Sequence, residues 1–479
     1  MSGYVKELVN QARSSSRRLV NLTTKQKNIA LKSMARAIKI KKDFILKENK
    51  KDIENALRNK LSKSFIDRLS LDEKRLEEMS KSLEEIAAQG DPINQVIKKC
   101  KRPNGLSIQK IRVPLGVVFI IYEARPNVTS DCAGLLLKTS NVGILRGGSN
   151  AIHSNRAIGE VLKRAVQEVG IDFEPFFVVE KTDYKIVDEL LKENEHIDLV
   201  IPRGGEALIK KVVESSSIPV IKHYKGICHI FVDKTPPLKV SGGSTCARKG
   251  IPVDKTPPLK VSGGSTCARK GIPVDKTPPL KVSGGSTCAR KGIPVDKKID
   301  IKKALKICVN AKVQRPGVCN AVETILIHES VAGIFLPLLA KELDKHKVEI
   351  RGDEKAVKIL GGIKKAKEED WFTEYLDLIV SVKVVKNIEE AIAHVNFYGS
   401  HHTDSIITKD MFNARKFVRE VDSACCFVNV STRFSDGHQF GLGAEIGIST
   451  DKLHARGPMG AEELTTYKWV VYGDGQIRE

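Results

Sequence analysis

The chain has 479 residues, of which 41% are hydrophobic and 29% charged, and its formal net charge is +22. That length holds about three domains of ~150 residues with a sizeable core, and the composition excludes a disordered or fibrous protein. No apolar run approaches the ~18 residues of a membrane span, and the N-terminal MSGYVKELVNQARSSSRRLV lacks the apolar stretch of a secretory signal, so a cytoplasmic protein without membrane association is expected.

Residues 4 to about 89 read as helices, because apolar residues recur at three and four spacing through IALKSMARAIKI and FIDRLSLDEKRLEEMSKSLEEIAAQ. Gly90, Asp91 and Pro92 end that run. Two alternating segments then flank Pro103-Asn104-Gly105, a hairpin signal over 96–113.

From 116 onward strands and helices alternate. Strands are expected at 116–122 (GVVFIIY), 141–146, 173–180, 198–203 and 218–223 (IPVIKH), with helical segments such as NVTSDCAGLLLKTS and GEALIKKVVESSS between them. Continuous apolar strands alternating with helices predict a doubly wound parallel sheet, which binds ligands at the carboxyl ends of its strands. Two of these strands run through Arg-Gly-Gly into a helix: Arg146-Gly147-Gly148, followed by Ser149, and Arg203-Gly204-Gly205. Glycine permits close backbone approach and a helix N-terminus offers free N–H groups, so the two turns suit a phosphate-bearing ligand such as a dinucleotide. Neither is GxGxxG, and a lone RGG is more often a tight turn, so it is the pair on one sheet that points to a dinucleotide.

At Val232 the pattern breaks. VDKTPPLKVSGGSTCARKGIP occurs three times without a substitution over 232–294, and VDK returns at 295–297. Each copy carries four basic residues against one Asp, so the block supplies nine of the 22 excess charges. The remainder spreads over the solvent faces of helices, and no nucleic-acid role is expected. Structural repeats diverge and keep an apolar stripe, whereas these copies offer scattered Leu, Val and Ile among Pro, Gly and Lys. A disordered surface insertion with no catalytic part follows. The block also copies one cysteine three times, as Cys246, Cys267 and Cys288, without a histidine or second cysteine that would hold a metal. The other seven cysteines form no CxxC pair and read as reduced thiols.

After the block, DKKIDIKKALKICVNAK is helical and leads through VQRPGVCNA into the strand TILIHE; DLIVSVKVV, NIEEAIAHVN, SIIT and CCFVNV continue a second α/β unit. Cys319 differs from the other cysteines in its setting. It follows Arg315-Pro316-Gly317 and precedes Asn320, a polar, constrained turn in which a thiolate can act as a nucleophile if N–H groups and a cation favour it. Cys132 and the pair Cys425-Cys426 fit core positions.

Several segments together carry a resemblance. PLGVVFIIYEARPNVTSD (114–131), ILRGGSNAIHSN (144–155), IPRGGEALI (201–209), NAKVQRPGVCNAVET (310–324), YGSHHTDSIIT (398–408) and the long C-terminal run from Ser431 to Arg478 resemble the γ-glutamyl phosphate reductase family of the aldehyde dehydrogenase superfamily. The likeness covers essentially everything outside 232–294. It implies an aldehyde-dehydrogenase-like fold: two doubly wound α/β domains plus a small β oligomerisation element. Residues 1–225 would bind the cofactor, 226–430 would form the catalytic domain interrupted by the repeats, and 431–479 would complete the site.

The resemblance further implies NADPH-dependent reduction of L-glutamyl 5-phosphate in proline biosynthesis, by a homo-oligomer acting on a small-molecule acyl phosphate. Cys319 would be the nucleophile. Its backbone N–H, with the Asn127 side chain as a weaker second donor, would meet the oxyanion. The two RGG turns (Arg146, Gly147, Gly148, Ser149; Arg203, Gly204, Gly205) and Glu374 would hold the cofactor, while Arg125, Arg315 and His402 are candidates for substrate contact. Aldehyde-oxidising relatives carry a glutamate base ahead of a Gly-Gly turn, where this chain reads VIKHYKG with Lys222 and His223. A reductase has no use for water at its thioester, so the absent carboxylate is chemically coherent. Two other readings stay open at this point: an NAD(P)-dependent aldehyde dehydrogenase, and a basic binding module presented by the repeats.

Overall fold

The computed structural model describes residues 2–234 and 300–478, apart from Ala124 and His223. The tandem block, expected to be a disordered insertion, lies outside the described residues from Thr235 onward.

Five helices come first: Gly3–Leu19, Thr24–Ile40, Lys42–Arg58, Lys63–Leu69 and Glu73–Ala88. Four of them start where a side chain caps the helix. Ser2, Thr23, Ser62 and Asp72 each accept from the backbone N–H three residues on, which satisfies donors the first turn cannot pair internally. Apolar residues at three and four spacing then face one way; Ala30, Leu31, Met34, Ala35 and Ile38 of the second helix are all buried. They share one core with the first sheet.

Strands β1 (Val96–Lys101) and β2 (Ser107–Pro114) form the expected antiparallel hairpin, with Gly105 taking the left-handed turn position at φ 92°. Next, β3 (Val117–Tyr122), β4 (Val142–Arg146), β5 (Phe176–Val178) and β6 (Leu199–Arg203) build a parallel sheet in the order β5-β4-β3-β6. All six residues of β3 are buried, as a strand covered on both faces requires. The chain moves outward from β3 to β5 and then crosses back to β6, which leaves a crevice at the carboxyl ends of β3 and β6.

The strand expected at 218–223 does not form. Val220 makes a single bridge to Val200, because Pro219 has no N–H to give and the Lys222 N–H is taken by the Asp451 carboxylate at 2.9 Å. The expected strand at 173–180 shortens to β5 with Pro175 just ahead of it.

The second sheet comprises β7 (Cys228–Val232), β8 (Val322–His328), β9 (Glu349–Gly352), β10 (Lys364–Lys365), β11 (Ile379–Val385), β12 (Thr403–Ile407) and β13 (Cys425–Val428), all parallel in the order β10-β9-β11-β8-β7-β12-β13. The helices Ile301–Val313 and Glu329–Asp344 cover it with Ala304, Cys308, Phe335 and Leu339. A short pair, β14 (Gly447–Ser449) and β15 (Gly457–Met459), follows, and β16 (Thr465–Tyr472) returns to pair antiparallel with β2. The change from first to second sheet falls between Arg203 and Cys228.

Candidate active site

Cys319 lies three residues ahead of β8, in the turn between that strand and the helix Ile301–Val313. This is the amino end of the second sheet; Gly226 ahead of β7 and His402 ahead of β12 lie at the same end. The turn is fixed by its neighbours. The Cys228 thiol donates to the Cys319 carbonyl at 3.2 Å, and the Asn320 side-chain amide donates to the Ser435 carbonyl at 2.7 Å. Gly226 packs directly on it: a β-carbon there would stand 2.0 Å from the Cys319 carbonyl oxygen. Gly226 is in turn held by its N–H, which donates to Glu374 Oε1 at 2.9 Å. Below the turn, Lys312 at the helix end donates to Glu323 on β8 at 2.7 Å, both fully buried. Among the described residues the Cys319 N–H has no protein acceptor, so it stays available to an incoming oxygen.

Cys319 opens on a cavity of about 290 Å³. Arg68, Arg125, Arg203, Arg315 and Arg433 all reach its lining. Their surroundings separate them. Arg203 donates to the Glu445 carbonyl at 3.2 Å and lies 3.8 Å from its carboxylate. Arg433 is oriented by Gln314 Oε1 at 2.8 Å. Arg125 and Arg315 form no ion pair among the described residues. Burial lowers Arg125 to about 10, with Arg203, Arg315 and Arg68 adding to the effect. A guanidinium crowded by others gains most from an arriving anion. Cys132 and Cys228 are unsuited to attack, since burial raises Cys132 to about 12 and holds Cys228 well above its ordinary value.

The opposite wall comes from the carboxyl ends of the first sheet. Gly204 follows β6, and a β-carbon there would meet the Glu123 side chain at 2.6 Å and Leu208 at 2.8 Å. Gly205 opens the helix Glu206–Ser215, which has no side-chain cap, and its N–H donates to Glu123 Oε2 at 3.2 Å. A negatively charged oxygen therefore already sits at this helix N-terminus, the position a ligand phosphate favours. Burial raises the Glu374 carboxyl, opposed by the Gly226 N–H.

No family model matches the chain. Individual relatives do. The γ-glutamyl phosphate reductase of Caldanaerobacter subterraneus is 46% identical over 469 residues, covering 98% of each chain. That of Thermodesulfovibrio yellowstonii is 45% identical over 479 residues, covering 99% of this chain and all of its own. The crystal structure of the Thermotoga maritima γ-glutamyl phosphate reductase superposes with a TM-score of 0.83 at 41% identity, over 99% of this chain and 100% of the other. The chain belongs to the γ-glutamyl phosphate reductase family. An acetylating aldehyde dehydrogenase from Geobacillus thermoglucosidasius shares the fold, with a TM-score of 0.62 at 14% identity.

In this reductase, Cys319, Arg125, Arg315, Glu374 and the turn Arg203-Gly204-Gly205 line one cavity. Three other expected site residues point elsewhere. Asn127 donates to Asp131 at 3.0 Å and lines the neighbouring cavity. His402 is fully buried, with Nδ1 2.9 Å from Thr403 Oγ1 and 3.8 Å from the Cys228 sulfur, so Cys228 stands between it and Cys319. Arg146 is buried, donates to the Thr182 carbonyl and lies over the Tyr184 ring. The rest of its turn serves packing: a β-carbon at Gly147 would meet Asn155 at 2.0 Å, Gly148 lies beside the Glu123 backbone, and Ser149 starts a short 3₁₀ turn.

Sequence reasoning assigned no role to Gly226, Arg68, Arg433 or Glu445. Arg433 and Glu445 fall inside a segment that carries the family resemblance, which was the signal available. Arg68 belongs to the N-terminal helices, where nothing local separates it from solvent-facing basic residues. Lys222 turns from the cavity to Asp451, bonding it through both N–H and Nζ, so this residue is not set as a base there.

Proposed function

We propose that the reductase converts L-glutamyl 5-phosphate into L-glutamate 5-semialdehyde and phosphate, with NADPH, through a thioester on Cys319. The observation that carries this reading is a cysteine in a fixed turn, lining a cavity where Arg125 and Arg315 form no ion pair among the described residues. That is a seat for an acyl phosphate beside a nucleophile. The names of the relatives state the same substrate class.

The Cys319 sulfur attacks the acyl carbon, and the bond from that carbon to the phosphate oxygen breaks. Arg125 and Arg315 hold the departing dianion, as paired guanidinium groups hold phosphate elsewhere. The Cys319 N–H meets the oxyanion that forms at each tetrahedral stage; one such donor contributes about 3–4 kcal/mol in acyl-transfer enzymes. Two of the carboxylates that line the cavity are committed, Glu374 to the Gly226 N–H and Glu445 to the Gly437 N–H and Arg203. Neither is set to activate water, which protects the thioester from hydrolysis.

The residues present fit a nicotinamide dinucleotide. Gly204 and Gly205 at the N-terminus of the helix Glu206–Ser215 would take its phosphates in place of the Glu123 carboxylate that accepts from the Gly205 N–H, and the Glu374 carboxylate, with one oxygen on Gly226, would take a ribose hydroxyl. When bound, the cofactor supplies the hydride that reduces the thioester and frees the Cys319 thiolate. The preference for NADPH rests on the family resemblance.

We also propose a cytoplasmic homo-oligomer. The sheet β1-β2-β16 presents Tyr467, Trp469 and Val471 in alternation, each more than half exposed, and an aromatic face of that kind fits a second copy. The test of the reaction is NADP⁺ reduction by glutamate 5-semialdehyde, with the full chain, a 232–294 deletion and Cys319→Ala compared. Turnover that requires inorganic phosphate, survives the deletion and is absent in Cys319→Ala supports the reading. Phosphate-independent turnover makes the protein an aldehyde-oxidising enzyme instead.

A further inference from the structure

A second cavity, of about 210 Å³, adjoins the one that holds Cys319, and Arg68, Arg125 and Arg315 line both. Its other walls include Asp131, Asn127 and Ser82. The charges here are unevenly matched. Asp67 is paired to Arg75 at 2.7 Å, and Glu78 is exposed to solvent. Asp131 is only partly exposed and accepts from neutral groups alone, the Ser82 hydroxyl at 2.9 Å and the Asn127 amide at 3.0 Å. Among the described residues it forms no ion pair. Burial raises its carboxyl, while Ser82, Arg203 and Asn127 draw it back. A carboxylate in this state is the partner an incoming cation would most stabilise.

The cavity thus offers, among the described residues, one carboxylate without an ion-pair partner, in the same lining as the arginines shared with the reacting centre. An α-amino acid end, with an ammonium and a carboxylate on one carbon, complements that arrangement. Seven heavy atoms lie beyond the reacting carbonyl of a glutamyl group, and a single water takes about 30 Å³ of liquid, so the space suffices.

We infer that the second cavity binds the α-amino acid end of the substrate, with Asp131 pairing its ammonium and Arg68, the shared arginine not assigned to the phosphate, taking its α-carboxylate. This rests on the proposed reading of Cys319 as the acylated residue. It makes Asp131 the specificity-determining residue that separates a glutamyl substrate from its deaminated counterpart. A site that pairs a substrate group rejects the analogue lacking it, because its own buried group is then left unpaired.

The test compares glutamate 5-semialdehyde with 5-oxopentanoate, which lacks the amine, in phosphate-dependent NADP⁺ reduction. Asp131→Asn should lower kcat/KM for the semialdehyde by roughly a hundredfold, the scale for truncating one partner of a charge pair. For 5-oxopentanoate it should change by no more than about threefold. An equal loss on both compounds would make Asp131 a merely structural residue, and no loss on the semialdehyde would also overturn the inference. Equilibrium binding of L-glutamate and of glutarate to Cys319→Ala gives a readout independent of turnover. L-Glutamate should bind more tightly, and Asp131→Asn should abolish the difference. Equal binding of the two by Cys319→Ala would sink the inference even if the Asn variant did not fold. A binding preference without any phosphate-dependent turnover would overturn the proposed reaction and leave the amino acid site standing.

Discussion

Gly226 and Cys319 meet backbone to backbone. A methyl group on Gly226 would lie 2.0 Å from the Cys319 carbonyl oxygen and 2.4 Å from its α-carbon, closer than any real contact allows. The obstacle is main chain, so no rotamer change relieves it. Gly226→Ala must push the cysteine turn away, and a displacement near 1 Å at a reacting centre costs about a hundredfold in rate. We expect kcat to fall by that order, with a stability loss of about 1–3 kcal/mol from overpacking. Gly333→Ala is the control: it is exposed in the helix Glu329–Asp344 with nothing within 4 Å of an added β-carbon. That variant should keep its activity and gain about 0.5–1 kcal/mol. Steady-state kinetics and thermal unfolding of the two proteins decide the matter.

The buried pair below the same turn gives a second expectation. Lys312→Met strands Glu323, whose Oε1 already has no partner among the described residues. Leaving one charge of a buried pair uncompensated costs about 3–5 kcal/mol, whereas replacing both by apolar groups is often neutral. Urea unfolding should therefore show Lys312→Met far less stable than Lys312→Met combined with Glu323→Leu. Equal losses would mean that the pair does not brace the helix against β8.

Acid should destabilise the protein through His394. Burial lowers its imidazole to about 2, with His229 and Lys383 adding to the effect, and Lys383 Nζ lies 3.3 Å from Nδ1. The folded value is below the unfolded one of about 6.5, so the unfolded chain takes up the proton first. The contribution of this group to stability is complete above pH 6.5 and is lost as pH falls toward the folded value. At pH 5 the loss amounts to roughly 2 kcal/mol, from 1.5 units at about 1.36 kcal/mol each. His394→Gln should lose about 2 kcal/mol less than the unchanged protein between pH 7.5 and pH 5 in chemical denaturation. Identical losses in the two proteins would show that the imidazole takes up its proton without unfolding.

Much of this architecture was legible because burial leaves a periodic trace. The strand at 117–122 is covered on both faces and reads as an unbroken apolar run, and the N-terminal helices advertise themselves by three and four spacing. IPVIKH carries the same apolar trace yet forms only one bridge, because the N–H of Lys222 goes to Asp451, 229 residues away. The site divides in the same manner. The RPGVCN turn and the second RGG turn were legible because their backbone chemistry is local. Arg146 and His402 were not placed correctly, since whether a residue at a strand end faces the cavity or the interior depends on neighbours such as Tyr184 and Cys228 that only the fold supplies. The carboxyl ends of the first sheet's strands were expected to carry the ligand. Gly204 and Gly205 at that end line the cavity, whereas the cysteine sits at the amino end of the second sheet.

The thioester on Cys319 is the centre of the account, and a rapid-mixing experiment in the oxidative direction reaches it most directly. Glutamate 5-semialdehyde and NADP⁺ are mixed with the full-length protein in the absence of phosphate, and NADPH formation is followed. The account predicts a burst of one NADPH per Cys319 followed by a stall, resumption on adding phosphate, and no burst in Cys319→Ala. Sustained turnover without phosphate, or a burst that persists in Cys319→Ala, would contradict it.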